Sequence, residues 1–216
     1  MNHLPALLTA ALLLIPATSS LAKDLKVQIT PDIASVTVKH NGKDVVIQRK
    51  QSQDSRIVDA YAKTSRPCPP FCVQPASLAP GVETIGEIEV LDYLKRLSDG
   101  DDSILVIDSR TPDWVKRGTI PGSINIPWTR LKVSESDPFT VIEILEKQFG
   151  VQVLEGLFDF SGAKTLVMFC NGMWCGQSPA NIKALLKIGY PAHRIKWYRG
   201  GMQDWSALGL TTVAGP

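Results

Sequence analysis

No cluster of positive charge runs through this sequence of 216 residues. Its 23 Lys and Arg are nearly matched by 21 Asp and Glu, for a formal net charge of +2. The basic residues are scattered, so nucleic acid is not an expected partner. No stretch reaches the ~20 apolar residues needed to span a bilayer; Leu4–Ile15 is too short. Histidine is scarce, and His40 and His193 lie in segments unrelated to the cysteines. No cofactor is called for, and no metal is expected. The remaining metal option is a soft ion such as Cu(I) on the four thiols with Met168 and Met173.

The apolar run Leu4–Ile15 is followed by Pro16, small polar residues and Ser20-Leu21-Ala22 before Lys23. Small residues at the first and third of those positions suit signal peptidase. Residues 1–22 therefore read as a signal peptide, although Lys and Arg are absent from the start. A retained anchor is the alternative. Cleavage leaves 194 residues with no stable membrane span and places the protein in the periplasm. Its four cysteines then meet an oxidising compartment. They fall in two groups, Cys68 with Cys72 and Cys170 with Cys175, and sequence does not choose among the three complete pairings.

Residues 23–65 read as a small β-rich segment. Ser35–His40 and Asp44–Arg49 flank Asn41-Gly42, a tight-turn signal, and Asp54–Lys63 reads as a short helix. Residues 66–81 hold five prolines and the first cysteine pair and form a linker. The simplest account of Cys68-Pro69-Pro70-Phe71-Cys72 is a structural disulfide; a bridge to the second pair, or a resolving role for it, are alternatives.

From residue 82 to 213 strands and helices alternate, which implies a mostly parallel sheet covered on both faces. Helices are expected over Glu87–Leu97 (with Ile88, Leu91 and Leu94 inward), Thr111–Arg117, Asp137–Phe149, Pro179–Lys187 and Met202–Leu208. Strands are expected at Ile104–Ile107, Ile124–Ile126, Leu166–Phe169 and Ile195–Tyr198. Ligand sites in such sheets lie beyond the carboxyl ends of the strands, where Asp108 and Cys170 fall.

The loop after Cys170 reads Asn171-Gly172-Met173-Trp174-Cys175-Gly176-Gln177-Ser178, then Pro179. Its glycines let backbone amides turn inward. Ser178 is placed to cap the following helix and Pro179 suits its first turn. Amides and helix dipole together favour a thiolate on Cys170. Asp108 and Arg110 are expected to pair at the edge of this site and pin the Gly118 loop, with proton transfer as the alternative role. Trp197 and Trp205 read as packing residues, whereas Trp174 is placed to shield a reactive centre or meet a partner.

Several motifs resemble the rhodanese-like sulfurtransferase domain family across about residues 82–213. They are Val106-Ile107-Asp108-Ser109-Arg110; Gly118-Thr119-Ile120-Pro121-Gly122 through Pro127; Cys170; Gly189-Tyr190; and Tyr198-Arg199-Gly200-Gly201 through Trp205. The resemblance implies a three-layer α/β fold and a sulfurtransferase. The Cys170 thiolate would take the outer sulfur of thiosulfate or another sulfane donor and pass it from a persulfide to a thiol or cyanide-like acceptor. The partners so implied are a small sulfur-containing anion and a protein or low-molecular-weight thiol. This reading needs the Cys170 sulfur within reach of small anions. The chain departs from the family's pattern in three ways. Thr119 stands where histidine is usual, no cation lies between Cys170 and Ser178, and the loop is longer and contains Cys175. With Cys175 as a resolving cysteine, the pair suits dithiol exchange with a periplasmic redox partner instead. An inert bridge in a binding module is the third reading.

Overall fold

The computed structural model describes residues 26–132 and 136–215; residues 1–22, expected from the sequence to be a signal peptide, lie outside the described residues. The chain opens with an antiparallel hairpin, β1 (Ser35–His40) and β2 (Lys43–Gln48). It turns at Asn41 and Gly42, both at positive φ, as a tight hairpin turn requires. The short helix α1 (Asp59–Ala62) follows. The order is then β3 (Glu83–Ile85), α2 (Glu87–Ser98), β4 (Ile104–Asp108), α3 (Pro112–Val115), β5 (Ile124–Asn125), α4 (Trp128–Leu131) and α5 (Pro138–Lys147). A small hairpin, β6 (Gln152–Leu154) and β7 (Leu157–Asp159), precedes β8 (Thr165–Phe169), α6 (Gln177–Lys187), β9 (Ile195–Tyr198) and α7 (Gly201–Ala207).

Five strands form one sheet in the order β3-β9-β8-β4-β5, every pairing parallel. Alternation along the strands divides the buried residues into two cores. Ile107, Leu166, Met168, Ile195 and Trp197 face α5 and α6 through Ile144, Leu145, Ile182 and Leu185. Val106, Val167, Phe169 and Tyr198 face α2 and α7 through Val90, Leu94, Met202 and Trp205. This three-layer arrangement explains why β8 is apolar at nearly every position: a central parallel strand is buried on both faces.

The N-terminal hairpin contributes to the second core, with Val38 and Ile47 buried there. It is tied to α2 by Lys39 N–H donating to Ser98 Oγ at 2.7 Å, and to the chain end by an isolated bridge between Arg49 and Leu210.

Several local expectations change. The helix expected over residues 54–63 is confined to Asp59–Ala62. Ile88 is exposed, and Val90 joins Leu91 and Leu94 in the buried stripe. Two residues before Val90, Ile88 falls roughly 160° around the helix from it. Ser178 does not cap α6; the helix begins at Gln177 after Gly176, which leaves the Ser178 hydroxyl free to turn toward the cysteines. The strand β3, the helix α4 and the hairpin β6–β7 carry too few residues for a periodic signal.

Candidate active site

The carboxyl ends of β4, β5, β8 and β9 bring four segments together. Asp108 ends β4, Asn125 ends β5, Cys170 follows β8, and Gly200-Gly201 follows β9 into α7. The turns after β4 and β5 are locked to each other. Asn125 Nδ2 donates to the carbonyls of Asp108 and Arg110, and the Trp128 N–H donates to Ser109 O.

Asp108 and Arg110 form a buried ion pair whose side chains are 1% and 0% exposed. Arg110 Nε donates to Asp108 Oδ1 at 2.8 Å. Its other nitrogens reach the Tyr61 hydroxyl at 2.9 Å and Gly118 O at 2.7 Å. Thr119 Oγ1 donates to Asp108 Oδ2 at 2.7 Å. This network joins the N-terminal segment, through Tyr61, to the Gly118 loop.

The loop from Cys170 to Ser178 is held from behind by α7. Met202 N–H donates to Cys170 O at 3.0 Å and Gln203 N–H to Asn171 O at 2.9 Å. The first amides of a helix have no partners inside it, and here they fix the loop. Gly201 makes the approach feasible. Its φ is +55°, and a Cβ there would strike the Cys170 carbonyl oxygen and lie 2.9 Å from Gly172 N. Gly201→Ala is therefore expected to destabilise the protein by about 1–3 kcal/mol. It should also shift the Cys170 loop; urea unfolding and the rate of Cys170 alkylation would measure the two effects.

The two thiols of this loop are free and buried, at 2% exposure for Cys170 and 4% for Cys175. The Ser178 hydroxyl donates to Cys170 Sγ at 3.1 Å and itself accepts from Trp197 Nε1 at 3.2 Å. Trp197 is packed in the core and still serves the site through its one polar atom. Burial pushes the Cys170 thiol up. Hydrogen bonds from the Cys175 thiol, the Ser178 hydroxyl and the amides of Ser178 and Gly172 outweigh that and bring it down to about 7. Cys175 moves the other way. Burial, the hydrogen bond it gives to Cys170 and the charge there push it well above the usual thiol range. The pair thus divides into one thiolate former and one proton holder.

Access is divided differently from what simple sulfur transfer requires. A cleft of about 370 Å³ opens beside the loop, and the cysteine in its wall is Cys175. Asn171, Trp174, Gly176 and Gln177 also line it. Cys170, 2% exposed, is not among the lining residues, nor is Met173, which is exposed. Gly172 is buried, and its amide is among the groups that lower the Cys170 pKa.

Cys68 is disulfide-bonded to Cys72, and the linker that carries them docks on the loop. Gln74 N–H donates to Met173 O at 2.8 Å. Arg199 binds the carbonyls of Gln74 and Pro75, so this cation holds the linker and does not line the cleft. Phe71, between the bonded cysteines, meets Trp174 edge-on with centroids 5.6 Å apart. Arg66 lies over Trp174 at 4.3 Å. Trp174 Nε1 donates to Gln203 Oε1 at 2.7 Å.

Three aromatic residues of the cleft, Phe71, Trp114 and Trp128, do not stand out in the sequence. A signal for two of them exists: Trp114 and Trp128 each follow closely on the carboxyl end of a parallel strand, where ligands bind. Among the described residues no group of three or more His, Cys, Asp or Glu is placed to hold a metal. Nor is any helix long and apolar enough to cross a membrane.

Both solved structures and a family model match this chain. Among solved structures, the BH2092 protein from Bacillus halodurans is 20% identical, the match covering 57% of this chain and 70% of that one at a TM-score of 0.38. A thiosulfate sulfurtransferase from Pseudomonas aeruginosa is 20% identical over 62% of this chain and 21% of its own, TM-score 0.39. The 3-mercaptopyruvate sulfotransferase SseA from Escherichia coli is 23% identical over 57% and 43%, TM-score 0.37. No curated protein matches. The family model for the rhodanese-like domain matches residues 90–208; with more than half of its length so matched, the chain belongs to the rhodanese-like domain family.

Proposed function

We propose that the protein is a periplasmic dithiol–disulfide exchange protein in which Cys170 and Cys175 cycle between thiols and an internal disulfide. The observation that carries this reading is the pair of free, buried thiols in one short loop, where Cys170 Sγ donates to Cys175 O at 3.4 Å, and the two thiols are displaced in opposite directions. A signal-peptide-like start and the Cys68–Cys72 bond are consistent with an oxidising compartment.

In the oxidised form an incoming thiolate meets the sulfur that lines the cleft, Cys175. The bond to Cys170 breaks and its electron pair leaves on Cys170. A stabilised leaving thiolate departs faster, and the amides of Gly172 and Ser178 and the Ser178 hydroxyl stabilise this one. The same interactions favour the reduced form, which makes the internal disulfide oxidising. Equilibration with glutathione buffers, read by intact mass and thiol mapping, should give a potential of roughly −120 to −230 mV, the range of readily exchanging dithiols. A value below about −300 mV, typical of structural bonds, would sink the proposal.

The thiolate itself gives a second check. Alkylation of Cys170 in the reduced protein should rise through a midpoint near 7. Hydrogen bonds to the thiolate favour it, so removing a donor raises the midpoint. Cys175→Ala should move it toward the ordinary value of ~8.5 and slow alkylation at neutral pH roughly tenfold.

Sulfur transfer is the second reading, favoured by the amides directed at Cys170. A persulfide there would be attacked by the Cys175 thiolate at Sγ of Cys170, forming the internal disulfide and expelling the outer sulfur as sulfide. A mass gain of one sulfur from a sulfane donor, lost in Cys170→Ser, would establish it.

A further inference from the structure

The cleft beside Cys175 is small and lined mainly by apolar side chains. At about 370 Å³ it falls in the size range of small-molecule pockets, roughly 300–1,000 Å³. Its walls are aromatic: Phe71, Trp114, Trp128 and Trp174. Among the described residues no Lys, Arg, His, Asp or Glu lines it. The neighbouring cations sit over the rings instead, Arg66 on Trp174 at 4.3 Å, Arg117 on Trp114 at 4.7 Å and Lys132 on Trp128 at 5.2 Å. A small inorganic anion would lose its hydration on entry and find no charge in the walls to replace it. An apolar body would lose little and gain ring contacts.

Two polar side chains lie within this wall: Gln177, whose Oε1 accepts from Cys175 Sγ at 3.8 Å, and Asn171. Asn171 is 2% exposed, its Nδ2 approaches Cys175 Sγ at 3.9 Å, and its Oδ1 has no hydrogen-bond partner. A buried acceptor without a donor costs about 1–3 kcal/mol, and a ligand N–H or O–H close to the sulfur would remove that cost.

We propose that this cleft is a binding site for a low-molecular-weight organic thiol. Its body is aromatic or otherwise bulky and apolar, its sulfur is presented to Cys175, and a donor beside that sulfur meets Asn171. The inference rests on the dithiol reading and names its substrate class. The ligand thiolate attacks Sγ of Cys175 in the internal disulfide. That bond breaks, Cys170 leaves with the electron pair, and a mixed disulfide joins the ligand to Cys175. A second thiolate of the same kind attacks the ligand sulfur. The organic disulfide departs and Cys175 leaves as thiolate, then takes up a proton from solvent. Two thiols are oxidised and one protein disulfide is reduced.

Reduction of the oxidised full-length protein by 2-phenylethanethiol and by 2-mercaptoethanol tests this, since both are alkanethiols of similar basicity. The phenyl compound is expected to react at least tenfold faster, with a rate that saturates. The ratio should fall toward one in Trp128→Ala. In the Cys170→Ser/Cys175→Ser double variant, 2-phenylethanethiol should quench tryptophan fluorescence saturably and 2-mercaptoethanol should not. Equal rates with an intact exchange reaction would overturn the cleft assignment and leave the dithiol reading standing. Absence of quenching would overturn it whatever the redox result. A cysteine peptide with apolar flanks outrunning both thiols would assign the cleft to a protein partner and overturn the small-molecule proposal. Failure of either thiol, and of glutathione, to reduce the bond would remove the dithiol reading itself.

Discussion

Arg110→Met is expected to destabilise the protein by about 3–5 kcal/mol, enough to unfold a marginal domain. The cost does not come from losing an attraction in water, where an ion pair contributes little. It comes from leaving the Asp108 carboxylate buried without its counter-charge, and from stranding the Gly118 carbonyl and the Tyr61 hydroxyl. Removing both charges tests the cause. Asp108→Leu combined with Arg110→Met should recover part of the loss, because an uncompensated buried charge is costlier than an absent pair. Recovery should be incomplete, since the Gly118 carbonyl and the Tyr61 hydroxyl still lack the guanidinium. Urea unfolding of the single and double variants measures this. A single variant within 1 kcal/mol of wild type would mean that water replaces the guanidinium.

The role of this network also marks how far the sequence could be read. The parallel sheet was legible because β4 and β8 are short runs of branched and aromatic residues bounded by turn residues, and such runs have one common use. Cys170 was legible as a residue beyond the end of β8 because the strand stops at Phe169 and a glycine-rich loop begins. What could not be read depends on which segments meet. Tyr61 reaches Arg110 across a separation of 49 positions. Phe71, Trp114, Trp128 and Trp174 come from four stretches and share a wall only after the sheet has placed three of them and the linker has docked the fourth. Ser178 looked like a helix cap because serine before proline usually is one. The helix instead starts at Gln177, and the hydroxyl turns to Cys170. Which cysteine faces the cleft is decided by the path of the irregular loop between β8 and α6, so residue type alone could not assign it.

That assignment separates the two chemistries most sharply. Cys175→Ser is expected to reduce dithiol exchange by at least about 10³-fold, the scale seen when one member of a catalytic unit is lost. The internal disulfide needs two sulfurs, and a serine at this position can neither receive the incoming thiolate nor close the bond. Cys170→Ser should be equally inactive for the converse reason: Cys175 keeps its place in the cleft wall but has no partner sulfur to leave from it. Sulfur transfer makes a different demand. A persulfide needs only Cys170, so Cys175→Ser would keep transfer to an external acceptor and would accumulate the loaded form, because the internal attack that discharges it is gone. Reduction of the oxidised proteins by a dithiol, followed alongside intact mass after incubation with thiosulfate, reads both reactions in one set of samples. Loss of exchange in both serine variants with no gain of sulfur in wild type supports the dithiol cycle. Full sulfur transfer by Cys175→Ser would return the site to the family's single-cysteine chemistry and make the second thiol a modifier of the Cys170 thiolate and nothing more.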